Sequence, residues 1–302
     1  MEEMTTGLCP KCGHTLQIPA ELERFSCMYC GERLTKRQLL MQPEEASCSE
    51  EDCAVSFDHA VSRLGWCVQN FRGYQKKILR DAFFEAFETY ETGCAPVIQE
   101  LNSGGRPERQ TELLDRAAEA MLDELAAGWM GKNDMEDEKV ILAIFFVPMV
   151  RKLQLPVSEE FVSLLQKKWV ERYPKSPFYL GDYESISGGF RKKFLGLCFI
   201  TTAVCQELGK PDDCAELTAF RAFRDGYLAA QPDGEALIRE YYNIAPGIVT
   251  CINTCSDRHA SYERIREQYL TPCYEDLLAG RNADCKTRYV QMVRDLERKY
   301  LN

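Results

Sequence analysis

From His59 onward the hydrophobic positions recur with helical spacing. Leu113, Leu114, Ala117, Ala118, Met121, Leu122, Leu125 and Trp129 fall at i, i+3, i+4, i+7 and i+8, an apolar stripe that predicts a helix with one face on a core. A second helix is expected from Ser158 as N-cap, with Glu159 and Glu160 in the first turn, where the helix dipole favours anions. Phe161, Leu165, Trp169 and Tyr173 then follow at intervals of four. The last helix is expected from about Asp284, with Tyr289, Val293, Leu296 and Tyr300 inward. The most apolar run, Val140 to Val150, is shorter than the roughly 18 residues a membrane helix needs. It contains Pro148, so it reads as a buried, kinked helix. Prolines and glycines in 173–181 and at Ser187-Gly188-Gly189 predict a joint between Pro174 and Phe190.

The first 38 residues read differently. Thr15–Pro19 and Glu23–Ser26 have the look of short strands, set between Cys9-Pro10-Lys11-Cys12-Gly13 and Cys27-Met28-Tyr29-Cys30-Gly31. Two residues between paired cysteines let both thiolates reach one ion, and the following glycine can take the left-handed conformation that completes the turn. Fourteen residues separate the knuckles, slightly fewer than the usual window of roughly 15–20. Four thiolates leave no open position on a tetrahedral Zn²⁺, so Cys9, Cys12, Cys27 and Cys30 are expected to hold one structural zinc. So short a segment builds little core, and metal binding should supply much of its folding energy. This segment resembles bacterial zinc-ribbon domains. Residues 38 to 58 contain no Lys or Arg but six acidic residues, which predicts a solvated acidic linker. Cys48 and Cys53 within it have a spacing that fits a zinc knuckle poorly.

The carboxy-terminal third carries a second signature. Cys198-Phe199-Ile200-Thr201-Thr202-Ala203 is followed by Pro211-Asp212-Asp213-Cys214-Ala215-Glu216-Leu217, Arg221-Ala222-Phe223-Arg224-Asp225, Tyr241-Tyr242 and Ala245-Pro246. In this order, over roughly 190–302, the pieces resemble the Cys-Phe-Ile-box C-terminal domain found on assorted bacterial proteins, a family with no assigned activity. The chain departs from the commonest form, in which Tyr-Gly follows the box, by having Cys205-Gln206 there. Arg221 and Arg224, with Asp225, could clamp an anion or hold helices together through carboxylates such as Asp212 or Asp213; the second reading is preferred. Cys198 is a weak nucleophile candidate, because a catalytic thiol needs a lowered pKa and the nearest C-terminal histidine in sequence is His259. A buried thiol is preferred. Cys251, Cys255 and His259, at i, i+4 and i+8, would form a second metal site only if the chain folded back at Ser256-Asp257, since eight residues of helix span roughly 12 Å.

The fold expected is mainly α: a helical body with a small N-terminal β zinc ribbon. Its divisions are a ribbon at 1–38, a linker at 39–58, a helical domain at 59–189 and the Cys-Phe-Ile-box domain at 190–302. Fifteen cysteines, an odd number, stand behind an acidic start with no signal-peptide pattern. These features point to free thiols and zinc ligands in a cytoplasmic protein. The reading is of a non-enzymatic adaptor or regulator whose ribbon recognises protein and which has no membrane partner. A thiol enzyme or redox sensor using Cys198, with Cys205 or Cys214, is the alternative, and nucleic-acid binding through the ribbon is a third. The net charge of −10 weighs against the last: residues 1–38 and 191–302 each balance, and 39–190 carry 16 basic against 26 acidic groups. Full-length protein should therefore show no salt-sensitive DNA or RNA binding at physiological ionic strength. Fluorescence anisotropy across a salt series checks this, and a micromolar complex that weakens steeply with salt would refute it.

Overall fold

Thr5 and Ile18, and Gly7 and Leu16, face each other across an antiparallel pair formed by β1 (Met4–Leu8) and β2 (Thr15–Pro19). A second hairpin pairs β3 (Arg24–Ser26) with β4 (Arg33–Thr35) through Phe25 and Leu34. Side chains alternate across a strand, so Leu16 and Ile18 point inward with Cys27 and Leu34 to form a small core of their own. The computed structural model describes residues 4–8, 15–19, 21–29, 31–36, 50–104, 107–191, 198–255 and 257–302. The chain divides into two compact units, Met1–Val55 and Ser56–Asn302.

The second unit is helical. Its first helices are α1 (Glu50–Leu64), which begins before the boundary, α2 (Trp66–Gln69), α3 (Phe83–Ser103) and α4 (Gln110–Ala127). Then come α5 (Lys132–Ile141), α6 (Val147–Lys152), α7 (Ser158–Arg172) and α8 (Tyr183–Arg191). The carboxy-terminal set is α9 (Phe199–Glu207), α10 (Ala215–Ala222), α11 (Gly234–Asn253), α12 (Arg258–Ile265), α13 (Thr271–Leu278) and α14 (Asn282–Tyr300). Among the described residues no helix is long and apolar enough to cross a membrane.

The expected stripe on α4 is buried from Leu114 to Leu125 and packs along α7, which buries Phe161, Leu165 and Trp169. Tyr173 caps α7 and is half-buried. Ser158 is not the N-cap. It is the first helical residue, and its buried hydroxyl donates to the Val150 carbonyl while accepting from Leu155 N–H. On α14, Val293 and Leu296 are buried with Met292 and Cys285, while Tyr289 and Tyr300 are half-buried.

Three further expectations change. Residues 50–58 of the expected linker belong to α1, because Phe57, Ala60 and Leu64 form a buried helical stripe; residues 39–49, with Cys48, lie outside the described residues. Ser187-Gly188-Gly189 lies inside α8, where Ile186 and Phe190 are buried on either side. The division expected at 190 is not a division of the core: one apolar cluster runs from Phe57 to Leu301. Phe83 and Phe190 stack at 4.3 Å, and Phe178 bridges to Cys255. Across this junction α11 also meets the backbone of Ile78. Asn243 accepts the Arg80 N–H with its carbonyl and the Asp81 N–H with its side chain, and a Cβ on Gly247 would lie 1.9 Å from the Ile78 carbonyl oxygen.

The run Val140 to Val150 is buried and changes pitch without breaking. Leu142–Phe146 is a π turn closed by Val147 N–H to the Leu142 carbonyl. Proline cannot donate to the carbonyl four residues back, and its ring crowds that carbonyl; the wider turn ahead of Pro148 accommodates both. Arg266–Leu270 repeats the arrangement two residues ahead of Pro272. Just before the first π turn, the fully buried Glu138 carboxylate receives Arg72 at 2.7 Å and the Trp129 indole at 2.7 Å.

Because Gly247 touches backbone, Gly247→Ala should destabilise the body by about 1–3 kcal/mol through overpacking. Trp66, Trp129 and Trp169 all precede residue 190. A lowered urea midpoint in tryptophan fluorescence would therefore register the shared core; an unshifted midpoint would show that the halves unfold separately.

Candidate functional site

Cys198 is the N-cap of α9, and its carbonyl accepts the Thr202 N–H. Nearby, the Ile200 N–H, one of the donors that a helix start leaves unpaired, goes to the Tyr241 hydroxyl at 2.9 Å. Tyr241 also receives Tyr289, which contacts the Thr201 hydroxyl. The start of α9 is thus capped by a tyrosine–tyrosine–threonine chain.

Arg224 and Asp225 sit in a third π turn, Phe223–Leu228, closed by Ala229 N–H to the Arg224 carbonyl. Consecutive residues on an α-helix do not face each other, yet here Arg224 grips Asp225 with both arms, Nε to Oδ1 at 2.6 Å and Nη2 to Oδ2 at 2.8 Å. Its remaining arm, Nη1, donates to the Tyr242 hydroxyl at 3.0 Å and reaches the Cys198 sulfur at 3.7 Å. The fork raises Arg224 and holds Asp225 below the usual carboxylate range. Burial pushes the Cys198 thiol up, and the opposing pull of Arg224 does not overcome it. Arg221 is taken separately by Asp212, through its carbonyl and its carboxylate, both at 2.8 Å. Each guanidinium therefore has its own carboxylate.

Beside this cluster lies a cavity of about 50 Å³, lined by Cys198, Phe220, Phe223, Arg224 and Tyr289 among others. A water needs about 10–15 Å³ on this scale, so the space suits a few waters and is far below the roughly 300 Å³ of ordinary ligand sites. His259 is exposed and pairs with Glu207 at 3.4 Å. Glu207 closes α9 nine residues after Cys198, roughly 13 Å along the axis by helix rise. A thiol pushed up by burial, an arginine already paired and a histidine engaged elsewhere make a packing cluster.

The other cysteines are placed as follows. Cys205 and Cys214 touch, sulfur to sulfur at 3.8 Å, and burial with Cys214 alongside pushes Cys205 up to about 12. Cys251 donates to the Tyr300 carbonyl and Cys255 to the Cys251 carbonyl, so both sulfurs face backbone oxygen. Among the described residues no group of three or more His, Cys, Asp or Glu side chains is placed to hold a metal. Of the expected zinc ligands, Cys9, Cys12 and Cys30 lie outside the described residues. Cys27 is buried in the ribbon core; its N–H donates to Glu32 and its carbonyl accepts Gly31 N–H at 2.8 Å. Gly31 has φ of 73°, the left-handed conformation expected of the residue that completes the turn.

Sequence reasoning did not find Tyr242, Tyr241 or Tyr289 as partners. The signal was the adjacent Tyr241-Tyr242 pair, whose two rings point to different neighbours one residue apart. Iodoacetamide at neutral pH should leave Cys198 unmodified in the native chain and label it on unfolding. Mass spectrometry of digested protein checks this; rapid native labelling would restore the nucleophile reading. No family model matches the chain, and no curated protein or solved structure does so either.

Proposed function

We propose that the chain is a zinc-dependent, non-enzymatic adaptor or regulator. In this reading the N-terminal unit is a ribbon that recognises protein and the helical unit is its scaffold, ending in a module of the Cys-Phe-Ile-box kind. The observation that carries the proposal is that each unit has an apolar core of its own among the described residues. Leu16, Ile18, Cys27 and Leu34 form one, and the cluster from Phe57 to Leu301 forms the other. The four buried residues among those described offset little of the chain entropy of such a segment, and a zinc held by Cys9, Cys12, Cys27 and Cys30 would supply further stabilisation. The turn at Cys27–Gly31 supports that ligand set. All nine cysteines of the described helical unit from Cys67 to Cys285 are thiols, which supports a reducing compartment such as the cytoplasm. The thiol-enzyme alternative is disfavoured by the burial of Cys198, and the charge distribution disfavours nucleic acid.

Purified protein should carry about one zinc per chain, and Cys12→Ser should release it. Chelation of the intact chain should abolish the NMR signals of residues 4–36 while helical circular dichroism and its melting midpoint stay in place. Two tightly held zinc ions would defeat the stoichiometry. Loss of the helical signal on chelation would make the ribbon a structural cap and remove the ground for an adaptor.

A further inference from the structure

A polar cleft of about 620 Å³ opens in the helical unit, within the roughly 300–1,000 Å³ range of small-molecule sites. It is walled by the short turn Tyr74–Lys77, α5, the loop at Lys175-Ser176, and the ends of α11 and α14. It is separate from the Cys198 cluster, and its polar groups are only partly satisfied.

One wall holds an acceptor without a partner. Gln75 is only 7% exposed, and its side-chain oxygen has no hydrogen-bond partner. A buried amide oxygen left in this state is destabilising, so a group in the cleft that donates to it recovers that loss. Asp137, on the α5 side of the same cleft, is pushed up from the ordinary carboxylate value by burial and by the like charges of Asp134 and Glu136, which outweigh the opposing pull of Lys76. A cation placed there would relieve that repulsion. The opposite character comes from Lys139, which is buried. It donates to the Ser176 hydroxyl at 2.8 Å and to Glu136, and Ser176 in turn donates to Glu136 at 2.6 Å. An ammonium has three N–H groups, so one remains after these two. Lys175 and Lys299 stand on the rim. Glu136 is already occupied by Lys139 and Ser176, so it orients the lysine and is not itself a ligand group.

A pure cation would meet the lysines, and a pure anion would meet Asp137 and the Gln75 oxygen. A small molecule with both an ammonium and a carboxylate satisfies both walls. We propose that this cleft binds a free α-amino acid, its ammonium against Gln75 and Asp137 and its carboxylate against Lys139 and Lys175. This site does not rest on the zinc reading; it would give the helical unit a small-molecule input of its own.

The test uses the full-length protein. The twenty common L-amino acids are screened at millimolar concentration by thermal shift, and the strongest is titrated calorimetrically beside its decarboxylated amine and its deaminated acid. The amino acid should bind at least about tenfold more tightly than either fragment, each having lost one charged contact. Gln75→Leu, which keeps the bulk and removes the acceptor, should weaken binding by about tenfold. Because that position is buried, the exposed rim variant Lys175→Ala is run in parallel; it should weaken the amino acid and the deaminated acid but leave the amine unchanged. The proposal is overturned if no amino acid binds, if either fragment matches it, or if Lys175→Ala binds as the parent does.

Discussion

A helix surrounded on every side by protein has to satisfy its own backbone, and the segment from Ile141 to Val150 is under that constraint. Its side chains are buried throughout, and α3, α7 and α8 all pack against its α6 portion. Water is not there to donate to an orphaned carbonyl, yet Pro148 brings no N–H to the run. The chain answers by widening one turn, so that Val147 N–H reaches back five residues to Leu142. The direction of α6 follows from that adjustment, and with it the seats of the helices packed on it. A π turn also precedes Pro272 in the carboxy-terminal third, there on a helix that is partly exposed.

Polar groups on α5 extend this logic outward. Glu138 enters the core and is matched there by Arg72 and the Trp129 indole. Its neighbours Glu136, Asp137 and Lys139 turn to the cleft, where Lys139 is held by Glu136 and Ser176. One short helix thus places a closed ionic contact on one side and an incompletely satisfied polar wall on the other. A buried ion pair contributes little net stability, but removing one partner is costly. The closed contact therefore fixes the rotation of α5 about its axis more than it adds stability.

What the sequence disclosed divides along the same physical line. The stripes on α4 and α7 were legible because burial of a helical face leaves a period of 3.6, and Leu114, Ala117, Ala118, Met121, Leu122 and Leu125 repeat it. The turn at Cys27 was legible because cysteine spacing and Gly31 encode local geometry directly. The Arg224–Asp225 fork was not, since its two residues are adjacent and meet only because the helix is locally a π turn. The union of the two helical segments was also hidden. It depends on Gly247, whose lack of a side chain matters only because Ile78 lies against it, and nothing near either residue announces the other. Ser187-Gly188-Gly189 misled for the converse reason: glycine weakens an isolated helix, but burial of Ile186 and Phe190 holds α8 together.

The Gly247–Ile78 contact has a consequence for the order in which the protein is made. The chain leaves the ribosome from its amino terminus, so Ile78, Phe178 and the helices around them are synthesised well before their partners. Until Gly247 and Cys255 have emerged, the Ile78 backbone has no α11 to rest on and the Phe178 bridge has no second strand. The nascent amino-terminal half carries uncovered apolar surface through that interval, and any truncated product ending before α11 carries it permanently. Translation that stalls in the carboxy-terminal third would therefore release a chain with the features that molecular chaperones and proteases recognise.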